Sequence, residues 1–165
     1  MLTPLNNAPT YQRQGAIHRR TEEAILSTTK SLIAQKGLTA TTMIDISTES
    51  QVSRATLYNH YRDKSAVVQA LLVSELQRLK SMGVKGVQIG SNINKVNLDD
   101  ERFLPLYEAM ESLDMALFVH PWEMMGEEYT QKFWLPWLVG MPAETARAIA
   151  SMIFAGVFTK FPKLR

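Results

Sequence analysis

Residues 53–64 hold a dense row of hydrogen-bonding side chains: Ser53, Arg54, Thr56, Tyr58, Asn59, His60 and Lys64, with Ala55 among them. Arginine can bind guanine through two hydrogen bonds, asparagine can do the same for adenine, and an alanine or threonine methyl can meet the methyl of thymine. Tyr58 and His60 suit phosphate oxygens, which fix register without reading sequence. Lys64, at the start of a helix, would join a cation to free backbone amides as a phosphate clamp. The same row also fits the polar solvent face of an ordinary helical hairpin, and spacing alone does not choose between the two. Other chemistry finds no footing. There is no cysteine; His18, His60 and His120 stand far apart, and no nucleophile–base pair, phosphate loop or metal spacing is present. No enzyme, metal or cofactor is therefore expected.

These side chains need short helices to present them. Thr42 and Asp45 have the form of a capping box, and Met43, Ile44 and Ile46 give the helix that follows an apolar side. Gln51 and Val52 form a turn, Ser53 is a good N-cap, and Leu57 and Tyr61 share one inward face at a spacing of four. A helix over 21–35 precedes this pair, with Ile25, Thr29, Leu32 and Ile33 on one side and Gly37 just past its end. A longer helix over 65–82 follows, striped by Val68, Leu71, Leu72, Leu76 and Leu79.

From Arg20 to about Leu79 the chain resembles the DNA-binding domain of TetR-type bacterial transcriptional regulators. The matching residues are Ile25, Leu32, Gly37, Thr41, Thr42 and Ile46, then Val52-Ser53-Arg54-Ala55-Thr56-Leu57-Tyr58-Asn59-His60-Tyr61 and Asp63-Lys64. The family usually has small residues where Thr29, Ser47 and Ser50 stand, and Gly or Asn in place of Gln51. The resemblance implies that Thr42 contacts phosphate, that Ser53, Arg54, Thr56, Tyr58, Asn59 and His60 face the major groove, and that Lys64 clamps the backbone. It also implies a homodimer joined through its last helices, bound to a near-palindromic duplex operator and released by a small effector.

The remaining chain is expected to be helical. Residues 83–101 contain Gly83, Gly86, Gly90, Ser91, Asn92 and Asn94 and look like a long irregular connection. Helices are expected over 102–120, over 127–139 with a break at Pro136, and over 142–161. Phe118, Trp122, Met124, Met125, Tyr129, Phe133, Trp134 and Trp137 cluster in sequence. They would line a pocket for an apolar or, with Glu123, Glu127 and Glu128 nearby, a cationic effector; plain core is the competing account. Net charge is +2, with ten Lys and Arg against six Asp and Glu in residues 1–80 and eight against ten thereafter. A basic first half fits phosphate attraction. No signal peptide or membrane span is evident, so a cytoplasmic location is expected.

The expected whole is all-α. A flexible tail (1–18) leads into a three-helix helix-turn-helix head (19–64), and a long fourth helix opens a short effector-binding and dimerisation body (65–165). The expected function is a DNA-binding transcriptional repressor. The alternative is a small helical ligand-binding or protein-interaction module without an operator.

Overall fold

The computed structural model describes residues 10–165, with side chains from Gly15 onward. The chain divides into two compact units between residues 72 and 73. Residues 1–9 of the expected tail lie outside the described residues. Residues 10–18 are helical, so the tail reading does not hold for them.

The first unit holds α1 (Thr10–Ala40), α2 (Met43–Glu49), α3 (Arg54–His60) and the opening turns of α4 (Lys64–Ser81). α1 is broken at Gly37, whose φ of 82° is one that glycine adopts without steric cost. Thr42 and Asp45 form the expected capping box on α2, and Ser53 caps α3 by accepting from the Thr56 amide. Gln51 takes the left-handed turn conformation at φ 57°. Ile25, Leu26, Leu32, Ile46, Leu57, Tyr61 and Val67 bury together as the core of this unit. The Tyr61 hydroxyl donates to Glu22 across 3.1 Å, and burial, with the Glu22 charge behind it, pushes its pKa up.

The second unit overturns the all-α expectation. β1 (Gly86–Gly90) pairs in parallel with β4 (Ala116–His120), from Gly86 opposite Ala116 to Gly90 opposite His120. Between them the chain makes an antiparallel hairpin of β2 (Asn92–Ile93) and β3 (Val96–Asn97), a 3-10 turn at Glu101–Phe103, and α5 (Leu104–Ser112). Strand, helix and parallel strand make a β-α-β crossover, which parallel pairing requires. Both residues of the hairpin turn, Asn94 and Lys95, have positive φ, the geometry that matches the twist of the flanking strands.

The expected loop over 83–101 fails for a physical reason. Gly86 and Gly90 look like loop punctuation, but they are sites of close approach. A Cβ on Gly86 would lie 2.5 Å from the Ala116 carbonyl oxygen, and one on Gly90 would lie 2.7 Å from that of Asn92. The expected helix over 102–120 stops after α5, where Asp114 turns left-handed at φ 49°. Leu117 and Val119 then follow the two-residue period of a strand. Over 127–139 only α6 (Glu127–Thr130) and a π-helical turn at Pro136–Gly140 form, because Phe133 and Trp134 both have positive φ. The last expected helix is two, α7 (Met141–Phe154) and α8 (Val157–Lys160), parted by left-handed Gly156.

Leu98, Tyr107, Met110, Met115, Ala148, Met152, Val157 and Phe161 form the core of the second unit, joined by Leu76 of α4. Val87 and Ile89 of β1, and Leu117 and Val119 of β4, pack on it. By alternation the other sheet face carries Gln88, Phe118 and His120. Along α4, Leu72 of the expected stripe is exposed, while Val67 is fully buried in its place.

Candidate functional site

In open or barrelled parallel sheets, ligands bind at the carboxyl ends of the strands, where the loops leaving adjacent strands converge. β1 ends at Gly90 and β4 at His120, and the two are register partners. The segments that follow frame a cleft of about 350 Å³ lined by Gln88, Gly90, Asn92, Ile93, Asn94, His120, Trp122 and Glu123. A larger cleft of about 690 Å³ shares Asn92 and Glu123 and adds Lys95, Met125 and Arg147.

His120 Nδ1 lies 2.9 Å from the Pro121 carbonyl oxygen. A carbonyl can only accept, so Nδ1 is the donor in this bond, and in the neutral ring that leaves the lone pair on Nε2, where it can serve as a base or ligand. Among the described residues, no three of His, Cys, Asp or Glu gather closely enough to hold a metal ion.

Beside the cleft, the Glu144 carboxylate is only 1% exposed. It accepts from Ser91 Oγ at 2.9 Å, the Met125 amide at 2.9 Å and Arg147 Nη2 at 2.6 Å. Burial raises its pKa, but Arg147, Ser91 and the Met125 amide outweigh that and hold it below its ordinary value. Ser91 Oγ in turn accepts from the Trp122 amide at 3.0 Å, and Asn92 Nδ2 donates to the Trp122 carbonyl at 2.8 Å.

The sequence reading missed Ser91, Asn92, His120, Glu144 and Arg147 as site residues. Two signals were available. One is the alternating run Leu117–Val119 ending in His120-Pro121; the other is an acid three residues before a base at the start of α7. Some of the expected effector-pocket residues line the clefts described above. Trp122 lines the first cleft and Met125 the second. Phe118, Tyr129, Phe133, Trp134 and Trp137 are exposed, with the rings of the last two 5.0 Å apart.

In the head, Arg54, Ala55, Tyr58 and Asn59 are exposed on α3. Several of the other expected contact residues are already engaged. The Lys64 ammonium donates to the carbonyls of Leu38 at 3.1 Å and Thr41 at 3.0 Å, closing the end of α1. The Thr42 hydroxyl donates to Asp45. The Asp45 carboxyl is lowered to about 2 by its bond to Lys36, then by Thr42. Ser53 and Thr56 share a hydrogen bond of 2.9 Å, and His60 stacks on His18 with ring centroids 4.2 Å apart.

A parallel strand pair with a polar cleft at its carboxyl ends, backed by helices, defines an α/β unit rather than an all-helical one. Comparison with known proteins places it. Residues 65–165 match the amidohydrolase family model, and the chain belongs to that family. Residues 25–71 match the model for bacterial regulatory proteins of the tetR family, which agrees with a TetR-type domain in the head.

The chain is 53% identical over 94 residues to a 2-amino-3-carboxymuconate-6-semialdehyde decarboxylase of Dictyostelium discoideum, covering 56% of this chain and 26% of that protein. A protein of the same description from Caenorhabditis elegans is 37% identical over 121 residues, covering 55% of this chain and 30% of its own. The crystal structure of Metarhizium anisopliae IDCase in apo form superimposes with a TM-score of 0.53 at 30% identity, covering 58% of this chain and 27% of that one. The chain thus spans between a quarter and a third of the length of these proteins.

These findings overturn the expected function. The curated relatives are decarboxylases, so the non-enzymatic DNA-binding repressor, its duplex operator, and the dimer and effector attached to that reading all fall. The helical ligand-binding or interaction module offered as the alternative falls with them, because the body is not all-helical. No helix among the described residues is long and apolar enough to cross a membrane.

Proposed function

We propose that residues 73–165 belong to a decarboxylase of the amidohydrolase type, and that the His120 cleft is part of its substrate site. The observation that carries this reading is the 53% identity to a named decarboxylase over 94 residues, beside an amidohydrolase family match over residues 65–165, which hold His120, Trp122 and Glu144. The chemistry fits such a reaction. Loss of CO2 from a conjugated carboxylate breaks a carbon–carbon bond and leaves its electron pair in the conjugated system, where a proton must quench it. His120 lines the cleft, and an imidazole is the group such a site needs to exchange a proton or hold an electrophile. The Trp122 ring and the Ile93 side chain line the same cleft and offer apolar surfaces to a planar, unsaturated acid.

The substrate class is inferred from the relatives: a carboxymuconate semialdehyde. The test is CO2 release from 2-amino-3-carboxymuconate-6-semialdehyde by the purified full chain, compared with His120→Ala. Removing the imidazole is expected to slow the reaction by roughly 100-fold or more. A folded chain that releases CO2 no faster than buffer, or a His120→Ala variant as fast as the parent, would overturn the proposal.

A further inference from the structure

We infer that Glu144 is a positioning residue for the His120 cleft, anchoring both the turn after β1 and the loop after β4 to the base of α7. The inference deepens the decarboxylase reading, and only its kinetic arm depends on that reading.

The groups around the Glu144 carboxylate are all donors. Oε1 faces the Met125 amide at 2.9 Å and Arg147 Nε at 3.3 Å. Oε2 faces Ser91 Oγ at 2.9 Å, Arg147 Nη2 at 2.6 Å and Asn92 Nδ2 at 3.5 Å. Only an acceptor on both oxygens satisfies this cage, and an ionised carboxylate is that group. Glutamine has nearly the same shape, yet it must turn two N–H bonds toward donors whichever way its amide is flipped.

What the cage holds is the cleft wall. Ser91 gives its hydroxyl hydrogen to Glu144 and accepts the Trp122 amide on its lone pair. Asn92 bonds the Trp122 carbonyl through Nδ2, and its Oδ1 accepts the Lys95 amide at 3.1 Å. Both backbone groups of Trp122 are therefore fixed by residues bonded to Glu144, while its ring, 62% exposed, lines the cleft beside His120. The same carboxylate holds the Met125 amide, so the loop is pinned at two points. A carboxylate recruited only for stability has no need to gather both segments that frame the cleft.

The experiment uses the full chain with Trp134→Phe and Trp137→Phe, which leaves Trp122 as the only indole. Glu144→Gln is expected to keep the parent's circular dichroism while the Trp122 emission shifts to the red and its anisotropy falls. In the decarboxylation assay KM should rise and kcat should drop, with kcat/KM lower by roughly 10- to 100-fold, the size of effect that misplacement of reacting groups produces. Ser91→Ala removes the acceptor of the Trp122 amide but leaves Asn92 on the Trp122 carbonyl and the Glu144–Arg147 pair, and should shift Trp122 emission the same way by a smaller amount. If Glu144→Gln does not fold, Ser91→Ala decides. A folded Glu144→Gln or Ser91→Ala chain with unaltered Trp122 emission would overturn the inference. So would unaltered kcat and KM in Glu144→Gln. If the parent shows no decarboxylation, the functional reading fails, and the Trp122 signals alone judge the positioning role.

Discussion

Imidazole and carboxylate groups in this chain are set by their immediate neighbours, and the direction of each effect can be read from them. His60 lies against His18 with rings 4.2 Å apart and 19° from parallel. Burial, then the His18 charge, lower its pKa below the ordinary 6.5, with Glu22 pulling the other way. The folded head therefore disfavours the charged ring. The corresponding stability is complete above pH 6.5 and is lost as pH falls through the lowered folded value. The thermal midpoint of the head should be lower at pH 5.5 than at 7.5, with a smaller drop in His18→Ala; a midpoint flat across that window would contradict the stacking account. Glu144 works through the same linkage at lower pH. Its folded pKa lies below the ordinary 4.5, so its stabilisation is present above that value and fades as pH falls through the folded one. Glu144→Gln should flatten the acid limb of the melting-point profile between roughly pH 5 and 3. A limb as steep as the parent's would show that the carboxylate is not held as described.

Elements respond to packing, and here the sequence was legible in one unit and not in the other. In the head, the capping box at Thr42 and Asp45, the Ser53 cap and the inward pair Leu57 and Tyr61 are local signals, and each is seen where its spacing puts it. The strands β1 and β4 owe their existence to each other across 25 intervening residues, so no window of sequence contains the reason for either. Gly86 and Gly90 then misled, since close backbone approach and loop flexibility both select glycine. Gly90→Ala tests the approach. Its Cβ would meet the Asn92 carbonyl at 2.7 Å and the Trp122 Cβ at 3.1 Å, so a loss of about 1–3 kcal/mol of stability is expected in denaturant melts. At Gly37 a Cβ would meet nothing within 4 Å, and only the left-handed strain, about 1–2 kcal/mol, remains for Gly37→Ala. Within the second core, the buried Tyr107 hydroxyl donates to the Leu98 carbonyl at 2.6 Å. Tyr107→Phe leaves that carbonyl unsatisfied at a cost of about 1–3 kcal/mol, whereas Met110→Ala opens a cavity and should cost about 2–5 kcal/mol. The reverse order would mean that the hydrogen bond, not packing, governs this core.

At the scale of the whole molecule, two units with separate cores carry matches to two families, one to tetR-type regulators over 25–71 and one to amidohydrolases over 65–165. The regulator reading was natural because the head's signals are local and dense, while the amidohydrolase likeness lies in a unit whose logic is non-local. That unit also leaves much apolar surface in water. Parallel sheets are normally covered on both faces, yet Phe118 on the face opposite the core is 60% exposed. Tyr129 and Phe133 are each 82% exposed, and Trp134 is 71%. Exposed apolar side chains in such number bind hydrophobic dyes without any unfolding. The folded chain should therefore enhance anilinonaphthalene sulfonate fluorescence at neutral pH in the absence of denaturant. Phe118→Thr should reduce that signal while shifting stability by no more than about 0.5 kcal/mol, since the ring contributes little to the core. Dye emission as low as that of a closed protein of equal size would show that the face is covered in solution. A Phe118→Thr variant that loses stability on the scale of Met110→Ala would place the ring inside a packed interior instead.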